Sequence, residues 1–279
     1  MTDAIGFAHN PTIPASAGLL ERGSAWCEEH GVPAWQAAAE ETDAIRQRLT
    51  GSRVVCVLGG DGTFLRTARA IDASGVPALG INLGRVGFLA KVEGVDLERA
   101  LDQVLAGDFG IEERLRLEVT LRRGDGSDEV HPVLNEVVVA RGGRVRMIQI
   151  EVEVSGSHLA TYVADGVVVA TPTGSTAYSF SAGGSILDPR LRNMIITPVA
   201  AYLSPLHSVV AGEDHVVRLT LREAPHGALV SLDGQQDVPI GSGDMVEVRA
   251  LDSPLRILEP AGSTPFYDLL RTKAALLPY

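Results

Sequence analysis

An abrupt change of hydrophobic period near residue 113 constrains this chain more than any other feature of its sequence. Before that point short apolar runs alternate with helix-like stretches, the pattern of a parallel sheet with crossover helices. Ile5 to Ala8 reads as a first strand, and Pro14 to His30 has helical spacing that ends before Gly31. Arg53 to Leu58 (RVVCVL) is an uninterrupted run of the kind buried on both faces, and the helix-like TFLRTARAID follows from Thr63 to Asp72. Pro77 to Leu83 is the next expected strand, and Val95 to Ala106 an amphipathic helix stopped by Gly107. Beyond residue 113 the period becomes two, in Leu115 to Leu121, Val133 to Ala140, Met147 to Val154 and Val216 to Arg222. Turn residues such as Gly124-Asp125-Gly126 and Ser155-Gly156-Ser157 separate the runs, so this half is expected to be mainly antiparallel. Helical spacing returns from Thr264 to Leu277. The expected organisation is an α/β domain over 1–113, a β-rich domain over 114–263, and a C-terminal helix over 264–279 that returns to the first domain.

Composition narrows the function classes. At 279 residues, 45% hydrophobic and 21% charged, the chain can bury ordinary cores without disulfide staples. Its net charge of −11 has the wrong sign for neutralising nucleic-acid phosphates or coating an anionic membrane. Neither partner is expected, and any anionic ligand must be held by local donors. No apolar run approaches the roughly 18 residues of a membrane span, and the start, Met1-Thr2-Asp3-Ala4, lacks a basic secretory n-region, so a cytoplasmic location is expected. Cys27 and Cys56 are far apart in sequence with no CxxC, which points to reduced, buried thiols and against a thiolate zinc site.

Three groups of residues can carry chemistry. The first is Gly59-Gly60-Asp61-Gly62-Thr63, between a buried strand and a helix. Glycines there let backbone N–H groups approach phosphate oxygens at a helix N-terminus. Asp61 is anomalous as a phosphate ligand and better suited to a metal-associated carboxylate or to a base for an attacking hydroxyl; a plain glycine turn with an N-capping Asp explains the motif equally well. Neither GxxxxGK[ST] nor a strand-following GxGxxG occurs. The second group, Thr171-Pro172-Thr173-Gly174-Ser175-Thr176-Ala177-Tyr178-Ser179, packs small hydroxyls and one aromatic face into a turn after Val167 to Ala170, which suits a base and ribose better than a nucleophile. The third, Asn135-Glu136, lies inside an apolar strand-like run, where two adjacent polar residues face opposite ways and at least one demands a partner; a polar edge strand is the plainer explanation. Arg141, Arg144 and Arg146 form a small cationic cluster that could meet a phosphate or lie in a solvated loop.

GGDGT at 59–63, NE at 135–136, ADG at 164–166, TPTGSTAYS at 171–179 with SAGG at 181–184, and DGQ at 233–235 together resemble the NAD kinase family, in order and approximate spacing. GGDGT alone is shared with lipid kinases and phosphofructokinases, whereas TPTGSTAYS with NE is far more specific. The resemblance runs from about Arg53 to the C-terminus. It implies an N-terminal α/β domain, a mainly antiparallel β C-terminal domain, and an active site in the cleft between them. The implied reaction transfers the terminal phosphoryl of ATP, or of polyphosphate, to the 2′-hydroxyl of the adenosine ribose of NAD, giving NADP. A divalent metal, usually Mg2+, accompanies the nucleotide, and the enzyme is a homodimer or homotetramer.

Carried over by matching position, Asp61 accepts the proton of that hydroxyl, with Gly59, Gly60, Gly62 and Thr63 around it. Asn135 and Glu136 grip the dinucleotide, one at adenine and one at ribose hydroxyls. Asp165, Thr173, Ser175 and the stretch Thr176, Ala177, Tyr178, Ser179 to Ser181 complete the pocket, with Arg66, Arg146 and Gln235 near its edge. Three departures stand out: Val163 where many members carry a basic residue, Ser185 in place of the proline after SAGG, and Val199 to Ser204 where a Pro-His pair is usual, with His207 beyond it. Two alternatives remain from the residues alone: a lipid kinase that shares only the GGDGT loop, and a non-catalytic dinucleotide sensor. The tripeptide Arg123-Gly124-Asp125 sits in an expected hairpin turn and is not read as an adhesion motif.

Overall fold

The computed structural model describes residues 3–71, 74–84, 87–143, 146–204 and 206–275. The chain divides into two compact units, Met1–Glu113 with Leu255–Tyr279, and Arg114–Pro254.

The first unit contains strands β1 (Ala4–His9), β2 (Ala34–Ala38), β3 (Ser52–Leu58), β4 (Ala78–Asn82), β5 (Val92–Glu93) and β6 (Phe109–Arg114), and helices α1 (Pro14–Glu29), α2 (Thr42–Arg48), α3 (Asp61–Ile71) and α4 (Leu97–Ala106). The far end of the chain adds strand β19 (Leu255–Pro260) and helix α6 (Phe266–Ala275). The run Arg53 to Leu58 is continuous because it is covered twice, and Val54 through Leu58 are fully buried. Val54, Cys56 and Leu58 belong to one core with Leu19, Trp26 and Cys27 of α1 and Leu97, Leu101 and Val104 of α4. Helices α2 and α3 pack on each other, and α3 lies against β3 and β4. α1 begins with Pro14 at its first turn and ends at the His30 cap before Gly31, which has φ 63°. Gly107, with φ 76°, stops α4. α3 starts at Asp61, two residues before the expected helix start at Thr63, because the Gly60 carbonyl already accepts the N–H groups of Thr63 and Phe64 at 3.0 and 3.1 Å; Asp72, the expected last residue, lies outside those described.

The sheet order is β2-β1-β3-β4-β19-β6, with β5 beside β4; β1 pairs in parallel with both β2 and β3, and β3 with β4. Strand β19 pairs in parallel with β4. The expected second boundary at 263/264 therefore lies too late. The chain rejoins the first unit at Leu255, where β19 pairs with β4 at Ala78 while β5 pairs with its other end at Ile81 and Asn82. Residues 276 and 277, expected to end the last helix, lie outside those described.

The second unit comprises β7 (Leu117–Arg122), β8 (Asp128–Val133), β9 (Glu136–Arg141), β10 (Ile148–Val154), β11 (Ser157–Ala164), β12 (Gly166–Ala170), β13 (Asn193–Val199), β14 (Val209–Gly212), β15 (Val217–Glu223), β16 (Ala228–Leu232), β17 (Gln236–Ile240) and β18 (Met245–Ala250), with the four-residue helix α5 (Tyr178–Ser181) after β12. Two six-stranded sheets form, ordered β11-β10-β15-β18-β7-β8 and β14-β13-β12-β9-β16-β17, and the pairings within them are antiparallel. Their facing side chains make one core, for example Val119, Ile150 and Val248 from the first with Val167, Val169 and Val230 from the second. Val168 and Ala170 point to the opposite face, where Ile195 and Leu187 cover them, so β12 is buried throughout. The architecture is an N-terminal α/β domain and a C-terminal domain of mainly antiparallel β structure. No helix among the described residues is long and apolar enough to cross a membrane. Cys27 and Cys56 are free and buried, and burial pushes the Cys27 thiol up to about 11.

Candidate active site

In the first unit the strand order 2-1-3-4 places a topological switch point between β1 and β3, where ligands of open α/β sheets bind at the carboxyl ends of strands. The Gly59–Thr63 loop leaves β3 at that end. Gly59 donates its N–H to Ile81 O at 2.9 Å and Thr63 donates to Gly60 O at 3.0 Å, so those two amides are spent. The amides at 60–62 remain in the first turn, where a helix offers no partner of its own.

Asp61 is held from outside its own helix. Its Oδ2 accepts the N–H of Phe88 at 2.9 Å, and its Oδ1 accepts the N–H groups of Leu89 and Ala90, each at 3.1 Å. A carboxylate has about four lone-pair positions, so among the described residues three are filled and one on Oδ2 stays open. The loop reaches this close because residue 87 is glycine: a Cβ there would lie 1.9 Å from Asp61 Oδ1. Arg66, expected near phosphate, has its Nε 3.4 Å from Glu40 Oε1.

In the second unit the expected strand through Asn135-Glu136 is broken. β8 ends at Val133 in one sheet and β9 begins at Glu136 in the other, so the two polar residues sit where the chain changes sheets. The period-two pattern hides the break because Val133, Leu134 and Val137 are all buried core residues. The backbone of this turn is fixed by groups distant in sequence. Asp233 Oδ1 accepts the N–H groups of Asn135 at 2.7 Å and Glu136 at 3.1 Å, and Oδ2 accepts that of Leu134 at 3.0 Å. Thr171 donates Oγ1–H to Leu134 O at 2.6 Å and its N–H to Asn135 O at 2.8 Å. Sequence reasoning assigns Asp233 no role of its own; the DGQ triplet is its only trace.

With the backbone occupied, the side chains are left over. Asn135 Oδ1 and Glu136 Oε2 are buried with no hydrogen-bond partner. Glu136 is only 5% exposed, and burial, with a smaller contribution from the Asp233 charge, pushes its carboxyl up from 4.5 to about 8. Between those two pH values the folded protein holds a proton that the unfolded chain has released, so this group's contribution to stability falls as pH rises from about 4.5 to about 8. Glu136→Gln removes that dependence. The variant should match its parent near pH 4.5 and exceed it above pH 8 by on the order of a few kcal/mol in urea melts. Parallel stability profiles for the two proteins from pH 4.5 to 9 would show that Glu136 does not titrate in this range.

The hydroxyl-rich turn is used differently from what its composition suggests. Ser175 Oγ donates to Pro172 O at 2.6 Å and accepts Leu187 N–H at 2.9 Å, Thr176 Oγ1 donates to Thr173 O at 3.2 Å, and Ser179 Oγ shares a bond with Thr197 Oγ1 at 3.0 Å. Thr173 Oγ1 accepts Arg114 Nη1–H at 3.3 Å. These hydroxyls build the turn, while Tyr178 and Ser181 are exposed and Ala177 is half-buried. Asp165 is paired with Arg141, Nε to Oδ1 at 2.7 Å, which removes Arg141 from the supposed cationic cluster; Arg144 lies outside the described residues and Arg146 is exposed before β10. Gln235 is exposed in the β16–β17 connection, where Asp233 and Gly234 have φ of 52° and 61°. Two departures meet, since Tyr202 donates its N–H to Val163 O at 2.8 Å.

Comparison with known proteins agrees with both units. Residues 15–109 match the family model described as the ATP-NAD kinase N-terminal domain, and residues 134–259 match the ATP-NAD kinase C-terminal domain. The chain belongs to the NAD kinase family. The NAD kinase of Heliobacterium modesticaldum is 38% identical over 276 residues, covering 96% of this chain and 97% of that protein. That of Symbiobacterium thermophilum is 39% identical over 260 residues, covering 93% and 86%. Among solved structures, yeast NADH kinase complexed with NADH has a TM-score of 0.82 at 23% identity over 98% of this chain and 87% of that one. An NAD kinase from Archaeoglobus fulgidus in complex with ATP has a TM-score of 0.79 at 23% identity over 99% and 100%. These two likenesses concern the fold. A lipid kinase sharing only the GGDGT loop gives no account of the match over 134–259, and a sensor without catalysis gives no account of the NAD kinase relatives. Neither alternative is favoured, and the chain is an NAD kinase enzyme.

Proposed function

We propose that this NAD kinase transfers the terminal phosphoryl of ATP to the 2′-hydroxyl of the adenosine ribose of NAD, with Asp61 as proton acceptor. The observation that carries the assignment is the Asp61 carboxylate, fixed by three backbone N–H groups with one lone-pair position of Oδ2 unfilled. In the step, the 2′-hydroxyl gives its proton to that oxygen, its own oxygen forms a bond to the terminal phosphorus, the bond from that phosphorus to the bridging oxygen breaks, and ADP leaves. The loop amides at Gly60–Gly62 and the α3 N-terminus support the phosphates, which suits an acidic protein that has to bind anions by local donors. Asn135 and Glu136, with their orphaned oxygens, hold the dinucleotide at adenine and ribose. Asp165, Tyr178, Ser181, Arg146 and Gln235 bound the pocket, and Ser175, Thr176 and Ser179 act by building the turn.

Among the described residues no group of three or more His, Cys, Asp or Glu side chains is arranged to hold a metal ion. A magnesium ion that arrives on the ATP phosphates would be held chiefly by those phosphates and by water, which leaves the open position of Asp61 Oδ2 to the proton. Bound there, magnesium would supply neutralisation of the charge on the phosphates. The enzyme is proposed to work in the cytoplasm, in keeping with its free cysteines, and as a homodimer or homotetramer, which would cover the exposed Val163, Tyr202, Leu203 and Val210.

A coupled assay for NADP, with ATP or polyphosphate as donor and NAD or NADH as acceptor, tests the reading. NADP and ADP are expected in equal amounts from ATP and NAD. NAD binding with no NADP formed from any donor would leave only the sensor.

A further inference from the structure

Asp233 lies on β16's exit turn, yet its carboxylate is spent on a segment about a hundred residues earlier. It is itself 4% exposed and takes the N–H groups of Leu134, Asn135 and Glu136 while donating its own N–H to Glu136 O at 2.9 Å. At φ 52° Asp233 occupies the left-handed region, which aspartate and asparagine adopt more readily than most residues with a side chain. The three amides it binds include those of the two residues whose side-chain oxygens are buried without partners. Thr171 holds the carbonyls of the same turn. The backbone of Asn135 and Glu136 is thus constrained by Asp233 and Thr171, both distant in sequence.

We propose that Asp233 is a positioning residue for dinucleotide binding, acting through the backbone of the Leu134–Glu136 turn and through its negative charge on Glu136. This rests on the assignment of Asn135 and Glu136 to the dinucleotide. Two carboxylates share one buried region, and only Asp233 is supplied with amide donors. Its charge is therefore stabilised, and Glu136 carries the proton. Around Glu136, β12 presents Ala170 and β16 presents Leu232 before Asp233, while the hydroxyl turn contributes the uncharged Thr171 and Gly174. Arg114 reaches that turn at Thr173, and the Asp233 charge acts on Glu136. The consequence is chemical: NAD meets a carboxylic acid, which donates one hydrogen bond and accepts at its other oxygen, and not a carboxylate that only accepts.

The test compares the full-length protein with Asp233→Asn. Asparagine fits the left-handed turn but places an NH2 against at least one of the three amides and removes the charge. NAD affinity is measured by calorimetry from pH 6 to 9.5. In parallel, the 13C signal of the Glu136 carboxyl, assigned by its loss in Glu136→Gln, is titrated without ligand. In the parent, NAD affinity should fall as pH rises through about 8. In Asp233→Asn both the affinity midpoint and the carboxyl signal should move down by about one pH unit or more, and affinity at pH 7.5 should drop roughly tenfold. If the carboxyl signal moves while NAD affinity and its midpoint do not, the turn does not serve the dinucleotide and the underlying assignment of Glu136 fails. If affinity drops with the signal unmoved, Asp233 acts through the backbone alone and its proposed action by charge on Glu136 is overturned. Affinity that rises with pH through 8 overturns it as well.

Discussion

Asp61→Asn is expected to remove nearly all turnover while leaving NAD affinity within a few-fold of the parent. General-base assistance contributes roughly 10²- to 10⁴-fold in rate, and an amide cannot take the proton. The geometry adds a second expectation. Oδ2 faces the Phe88 N–H, and Oδ1 faces those of Leu89 and Ala90. An asparagine offers one acceptor oxygen, so whichever way its amide turns, an NH2 group opposes at least one of these donors. The loss of one such bond costs about 1 to 3 kcal/mol, which should appear as a lower melting temperature. The two effects separate by measurement. Single-turnover rates fix the chemical step, calorimetry well below the melting temperature fixes NAD affinity, and thermal melts report the loop. A fall in rate no larger than the fall in affinity would make Asp61 a residue that shapes the loop or binds ligand, and its role as proton acceptor would be lost.

The range of each interaction decides whether it can be read from the sequence. The β3–loop–α3 unit is legible because it is local: an unbroken apolar run, then glycines, then helical spacing, all within twenty residues. The partners of Asp61 are not legible, since nothing in GGDGT points to amides at 88–90. The Asn135-Glu136 pair stands out as polar residues in an apolar run, but the run suggests one strand where the structure has two in different sheets. Hydrophobic period reports which face is buried and is blind to a change of sheet when both sheets face the same apolar core. The density of hydroxyls at 171–179 is visible, whereas their direction is not; a Ser or Thr side chain bonds to neighbouring backbone as readily as to a ligand, and here Thr171, Ser175 and Ser179 turn inward. The return of the chain at Leu255 is hidden because the short run LRILEP, with Arg256 and Glu259 among its apolar residues, carries no sign of whether its partner is antiparallel and near or parallel and some 180 residues away.

Gly174→Ala should be the most damaging of the small substitutions in the second unit. A Cβ at 174 would lie 2.1 Å from Asn135 O, 2.5 Å from its carbonyl carbon and 2.8 Å from its Cα, all backbone atoms with no rotamer to escape into. Those atoms cannot simply move. Thr171 N–H holds the same oxygen at 2.8 Å, and Asp233 holds the amide of the same residue at 2.7 Å. The methyl group therefore has to break one of these bonds or push the hydroxyl turn away from the Asn135-Glu136 turn. Overpacking in a well-packed core typically costs about 1 to 3 kcal/mol, and the clash with anchored backbone puts this case at the upper end or beyond, a fall in melting temperature of roughly 5 °C or more for a unit of this size. If the protein still folds, NAD affinity should fall about tenfold or more, because the side chains of Asn135 and Glu136 shift with their backbone. Gly18→Ala is the matched control: it sits in α1 with open space where its Cβ would go, and alanine there should be neutral or slightly stabilising. A Gly174→Ala protein that melts and binds NAD like its parent would mean that the two turns are not pressed together as described, and the account of how Asn135 and Glu136 are held would fall with it.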